Sequence, residues 1–153
     1  MRHLLFVLLF LVLFPAAQAA QGCDGDILIT IDSVSCFGCD DPSYSAKIYA
    51  DGTVVYVGMG GVKEVGERRF KLSQQSIQAL VKEFQRFDYW SFKDEYIADE
   101  RGMRATDQGS TITSICLNGK RKQVVNVHGP QKLAELEERI ESLAGLYSLL
   151  GPL

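Results

Sequence analysis

Histidine is almost missing from this chain. It has two in 153 residues, His3 and His128. His3 sits in an apolar leader, so any Ser-His-Asp or Cys-His device must run through His128. No G-x-S-x-G elbow accompanies it. Soft metal ligands are equally scarce. One Cys-x-x-Cys pair, two isolated cysteines and one histidine do not make a zinc set. The acidic residues lack EF-hand spacing. Positive charge is not in excess either: the formal net charge is −3, which argues against nucleic acid as a partner. After the first twenty residues there is no long apolar run to serve as an anchor. These absences exclude a recognisable metal centre, cofactor or hydrolase motif.

What is present begins with a leader. Arg2 is followed by an apolar run from Leu4 to Phe14, then Pro15 and Ala17-Gln18-Ala19. A cation, a short apolar stretch and small residues at −3 and −1 predict a signal peptide over residues 1–19. The run is too short for a membrane-crossing helix. Residues 20–153 then form a single α+β domain exported to the periplasm or secreted. Cleavage removes Arg2 and takes the net charge to −4. Four cysteines remain: Cys23, Cys36, Cys39 and Cys116. An even number in an oxidising compartment predicts disulfides. Joining Cys36 to Cys39 and Cys23 to Cys116 is one of three pairings, and spacing does not choose among them. Ala20-Gln21-Gly22-Cys23 also faintly resembles a lipoprotein box, a minor alternative for Cys23.

The elements follow from periodicity. Residues 27–31 are β-branched and apolar, a strand. Tyr44, Ala46 and Ile48 alternate with polar positions, and Asp51-Gly52 separates this strand from residues 53–57, a hairpin signal of type I′. Residues 68–72 make a fourth strand with Phe70 and Leu72 inward. Ile77, Leu80, Val81, Phe84 and Phe87 recur at helical spacing. Ser73 is the expected N-cap of a helix over 74–87. Residues 110–117 and 123–127 form two strands joined at Asn118-Gly119, with no clear register. Pro130 suits the first position of a second helix. Leu133, Leu136, Ile140, Leu143 and Tyr147 mark its buried stripe, and Glu135, Glu137, Glu138 and Glu141 its wet side. The order ββββ-α-ββ-α predicts a mainly antiparallel sheet with two helices on one face. Leu80, Phe84, Leu136 and Ile140 should pack on Ile29, Ile48 and Val125.

Several segments resemble one family. They are Cys36-Phe37-Gly38-Cys39, Pro42-Ser43-Tyr44, Asp51-Gly52-Thr53-Val54-Val55-Tyr56, Phe92-Lys93-Asp94-Glu95-Tyr96, Thr106-Asp107 and Val124-Val125-Asn126-Val127-His128-Gly129-Pro130. Together they are similar to the bacterial exported domain of unknown function 6438 family, over residues 27–145. The family's second cysteine comes one residue later, directly before proline; here Asp40 and Asp41 intervene. The resemblance implies a fold and an exported location, and brings no activity, catalytic residue or cofactor.

The functional expectation is a non-catalytic exported module that binds an envelope protein or a small ligand. No catalytic residue, metal ligand or cofactor is assigned. The long mixed segment 88–109 carries aromatics and carboxylates, and a loop of this length in a compact domain is functional or hides short structure. With the turn after residue 127 it makes Tyr96, Asp107 and His128 the candidate binding residues. The alternative is an enzyme: a hydrolase using this loop with His128, or a thiol-disulfide protein using Cys36 and Cys39. Against the latter, Asp40 and Asp41 disfavour a thiolate, and the motif lacks a helix start to lower its pKa. The short basic clusters, Arg68-Arg69-Lys71 and Lys120-Arg121-Lys122, read as solvated strand edges.

Overall fold

Alternation of apolar and polar residues builds the frame. The computed structural model describes Cys23, residues 25–104 and residues 107–151; the leader and its expected cut lie outside them. Among the described residues the strands are β1 (Ile27–Val34), β2 (Ser43–Tyr49), β3 (Thr53–Gly60), β4 (Gly66–Lys71), β5 (Glu95–Tyr96), β6 (Ser110–Leu117) and β7 (Lys120–Asn126). The helices are α1 (Gln74–Arg86), α2 (Gln131–Leu143) and α3 (Tyr147–Leu150). The strands form one sheet in the order β4-β3-β2-β1-β6-β7-β5. Every pairing is antiparallel except β5 with β7. This is the α+β fold expected, with a two-residue strand, a 3-10 turn at Tyr89–Ser91 and a short third helix added inside segments that carry little periodicity.

One face of the sheet is the core. Ile29, Ile31, Tyr44, Ala46, Ile48, Val54, Tyr56, Ile115 and Val124 alternate onto it and are buried beneath Leu80, Phe84, Leu133, Leu136 and Ile140. Val124, not Val125, is the core residue of β7: Thr113 pairs with Val124, which fixes the parity. Val125 points to the other face. Two adjacent valines could not reveal this by alternation alone.

Capping explains the first helix. Ser73 accepts a hydrogen bond from the Ser76 amide at 3.1 Å, and Phe87 closes the C-terminus. Pro130 serves as the N-cap of α2 rather than its first helical residue. An ion pair from Arg139 to Glu83 at 3.4 Å links the two helices.

Both expected hairpins form, with different turns. Asn118 and Gly119 both have positive φ, as a type I′ turn requires. At residues 50–52 only Gly52 does; Asp51 instead accepts from the Thr53 amide at 2.8 Å. That is a three-residue connection ending in a left-handed glycine, not the type I′ turn expected.

In the second basic cluster Lys120 is exposed as expected, but Arg121 and Lys122 are structural, contrary to expectation. Arg121 donates to Ser114 Oγ at 2.7 Å and to the Ile27 carbonyl at 3.2 Å. Lys122 reaches the Phe92 carbonyl at 2.8 Å. The β4 cluster is exposed and ion-paired, with Arg68 to Glu64, Arg69 to Glu67 and Lys71 to Asp51. The cysteines pair as Cys23–Cys116 and Cys36–Cys39. No helix among the described residues is long and apolar enough to cross a membrane.

Candidate functional site at the loop end of the sheet

Strand direction gathers the connecting loops. Val34 pairs with Ser110, Ser43 with Gly60, Gly58 with Gly66, Thr111 with Asn126, and Tyr96 with Asn126. These pairs all mark one end of the sheet, so the loops 35–42, 61–65, 97–109 and 127–130 leave from it. They touch: a Cβ on Gly61 would meet the Asp41 carbonyl at 2.4 Å, and one on Gly109 the Val34 carbonyl at 3.0 Å.

A groove of about 340 Å³ opens here, lined by Ser33, Val34, Asp41, Gly109, Ser110, Thr111, Asn126 and Val127. Exposed apolar side chains concentrate at the same end. Val34, Phe37, Met59, Val65 and Met103, on strand ends and loops at this end, are five of the seven large apolar residues exposed among those described; Trp90 and Tyr147 are the other two. Phe37 is 95% exposed at the tip of the disulfide-closed turn.

Local bonds tie that turn together. The Cys39 amide donates to the Cys36 carbonyl at 3.2 Å. Ser35 Oγ lies 3.2 Å from both the Cys36 and Cys39 carbonyls. Gly38 has φ +78°, a left-handed conformation that a side chain would strain. The two sulfurs and an Asp41 oxygen lie within 4.8 Å of one another, but the disulfide occupies both sulfurs. In this oxidised state the trio does not offer a set of thiolate ligands.

Behind the groove lies a buried polar layer that sequence reasoning missed. Glu137, placed above on the wet side, is only 7% exposed. Its Oε2 accepts from Asn126 Nδ2 at 2.7 Å, and Asn126 Oδ1 accepts from the Gly129 amide at 2.8 Å. The backbone bond fixes which way the amide faces. Glu137 Oε1 has no partner among the described residues. Burial above all, with the neighbouring Glu141 carboxylate, outweighs the Asn126 bond and pushes the Glu137 pKa to about 8. Glu137 is therefore protonated at neutral pH.

Glu141 is half-buried and accepts from the Tyr44 hydroxyl at 2.5 Å. Its pKa is raised by burial, which the Tyr44 bond partly offsets. Burial also pushes the Tyr44 phenol far up. Tyr44 stacks on Tyr56 with ring centroids 5.9 Å apart. Tyr89 completes the layer by bonding the Thr113 carbonyl at 2.8 Å. Helical geometry held the missed signal. At about 100° per residue, position 137 lies roughly 40° from Leu133, inside the apolar stripe. Assigning faces by charge hid it. Tyr147, assigned to the stripe, is instead exposed on α3.

None of the three candidate residues lines the groove; each is a strand partner or near chain neighbour of a residue that does. Tyr96 is half-buried, its ring edge-on to Phe92 at 6.4 Å, and its hydroxyl accepts from the Lys93 amide at 3.1 Å. Its carbonyl accepts from the His128 amide at 2.8 Å, which brings the two residues together through backbone. His128 is exposed, and its charge helps lower the Asp99 pKa after stronger effects led by the Met103 amide bond. Asp107 is exposed, two residues before Gly109.

A second concavity, about 520 Å³, lies on the sheet face without helices and is lined by Asp26, Tyr49, Ala50, Asp51, Thr53, Val55 and Arg69. Its Asp51 and Arg69 are already spent on ion pairs with Lys71 and Glu67.

Fold and site together define a small α+β domain whose loops cluster at one end of an antiparallel sheet. Residues 27–144 match the family described as Domain of unknown function (DUF6438), and the chain belongs to that family. No curated protein matches the chain.

Proposed function

We propose that this is an exported, non-catalytic binding module whose contact surface is the loop end of the sheet. One observation carries the reading: five of the seven exposed large apolar side chains lie on strand ends and loops at that end of the sheet, and one of them, Val34, lines the groove. Clusters of this kind mark interaction sites, and loops on a rigid sheet are where binding groups sit. Tyr96, Asp107 and His128 flank the surface. Two disulfides support an oxidising compartment, in line with the leader read from residues 1–19. The Cys23–Cys116 bond favours the signal-peptide reading over the lipoprotein alternative, because a disulfide sulfur does not also carry a lipid thioether. The buried Glu137 is shut between helix and sheet, which makes it a poor candidate for acid–base catalysis on a substrate.

A photo-crosslinking residue at Phe37 should capture a discrete envelope partner in cells exporting the protein. The same residue at Val55, on the open sheet face, should not. Equal capture at both positions, or capture only at Val55, would refute the assignment.

A further inference from the structure

We infer that the loop end takes a basic, partly apolar peptide segment of its partner. A Lys or Arg side chain enters the groove against Asp41, and an apolar side chain packs on Phe37. The inference rests on the loop end being the contact surface and adds the chemistry of what it holds.

Charge and hydrogen-bond supply identify the occupant. Asp41 is the one ionisable residue lining the groove. Of the other polar groups there, Ser33 Oγ is committed to the Pro42 carbonyl at 2.8 Å, and Asn126 to Glu137 and Gly129. The Ser110 and Thr111 hydroxyls make no side-chain hydrogen bond among the described residues and can accept from an ammonium or guanidinium group. The surroundings carry the same sign. Asp40, Asp41 and Glu100 have no ion-pair partner among the described residues, while Arg101 is held by Asp99 and Arg104 by Glu95. Lys63, His128 and Lys132 at the start of α2 are the opposing groups at this end, leaving a small acidic excess. Such a surface steers cationic segments in and repels anionic ones.

Phe37 supplies the apolar half. Its ring is almost wholly in water, so a partner that covers it gains hydrophobic burial. The Cys36–Cys39 bond and the Ser35 contacts already constrain the backbone of the turn. Little ordering entropy remains to oppose binding. An aromatic side chain presented on a closed turn can serve as an interface hot spot once a partner buries it. The acidic rim argues against an anionic lipid surface as the alternative acceptor for Phe37.

The test is to pan the oxidised protein, from residue 20 onward, against random 12-residue peptides displayed on phage, then titrate fluorescent copies of the enriched peptides. Enriched peptides should carry Lys or Arg within a few residues of an aromatic or aliphatic side chain. Phe37→Ala and Asp41→Asn should each weaken binding about tenfold or more. Raising the salt concentration should weaken it further. Cys36→Ser with Cys39→Ser should lower affinity while circular dichroism shows the sheet intact. Several outcomes would overturn the inference: no enrichment, enrichment of acidic or purely apolar peptides, indifference to Phe37→Ala or Asp41→Asn, or Phe37-dependent co-sedimentation with phosphatidylglycerol vesicles. If binding instead falls with His128→Ala or Met103→Ser, the loop end remains the contact surface and only its assigned chemistry fails. If no loop-end substitution affects binding, both readings fail.

Discussion

Replacing Glu137 by glutamine should erase most of a pH dependence written into the core. Glu137 titrates near 8 in the folded protein against 4.5 as an ordinary carboxyl group, chiefly because burial disfavours its charge, with the Asn126 bond opposing and Glu141 adding to the shift. An acid with a raised folded pKa keeps its proton over a range where the unfolded chain has lost it. The native state then binds more protons, and stability falls as pH rises from about 4.5 to about 8, with no further change from this group outside that window. At ~1.4 kcal/mol per pKa unit, the whole window is worth about 5 kcal/mol as an upper bound. Glutamine carries no proton to lose. Its oxygen can still accept from Asn126, and its NH2 takes the place of the unpartnered Oε1. Glu137→Gln should therefore be close to neutral at pH 5 and stabilising by a few kcal/mol at pH 8 to 9. Urea denaturation of both proteins at unit intervals from pH 5 to 9 gives the difference directly. That subtraction removes other groups, including the weaker slope of the same sign from Glu141, whose pKa is also raised. Parallel stability profiles would refute the reasoning, because they would mean Glu137 is charged and solvated in the folded state.

The other expectations are simpler. Leu80→Ala or Leu136→Ala should each cost about 2–5 kcal/mol, since both side chains are fully buried; a thermal or urea melt showing less than about 1 kcal/mol would mean the helix packing is wrong. Gly58→Ala should cost about 1–3 kcal/mol, because a Cβ there would lie 2.1 Å from the Glu64 carbonyl, whereas Gly60→Ala in the same strand meets nothing within 4 Å and serves as the control. Oxidised protein should show no titratable thiol when denatured. Replacing Cys23 and Cys116 by serine should cost up to about 5 kcal/mol, given the 93-residue separation they span. Mass spectrometry of the exported protein should find Ala20 at its N-terminus; a lipid-modified Cys23 would contradict both this and the Cys23–Cys116 bond.

Local rules made most of the frame legible. The alternation of Tyr44, Ala46 and Ile48, the cap at Ser73 and the Asn118-Gly119 turn are each decided by a few neighbouring residues. What stayed hidden depends on distant ones. The parity of Val124 and Val125 is set by β6. The short β5 exists because the Val125 and Val127 amides find the Asp94 and Tyr96 carbonyls. Cysteine pairing needs three-dimensional proximity. Of the proposed surface, the 88–109 segment and the turn at His128 were singled out from loop length and composition, and Gly109 and Val127 from these stretches line the groove. Its Cys36 side was read as a loop and a disulfide, not as a surface. The Glu137 layer was misread because a carboxylate in an apolar stripe looks like a surface residue until Asn126, eleven positions away, is seen to meet it.

The central place of β1 constrains how the chain can be delivered. Its two neighbours are β2, the next strand along, and β6, which arrives far later: the Thr30–Ser114 bond joins residues 84 positions apart. A chain emerging N-terminus first can zip β1 to β4 into a half-sheet early. That half-sheet carries Ile29 and Ile31 on a strand with one bare edge until residues 110–117 emerge. A bare apolar edge in the middle of a sheet pairs readily with another chain. Products truncated before Ser110 should therefore self-associate, while the complete chain hides that edge.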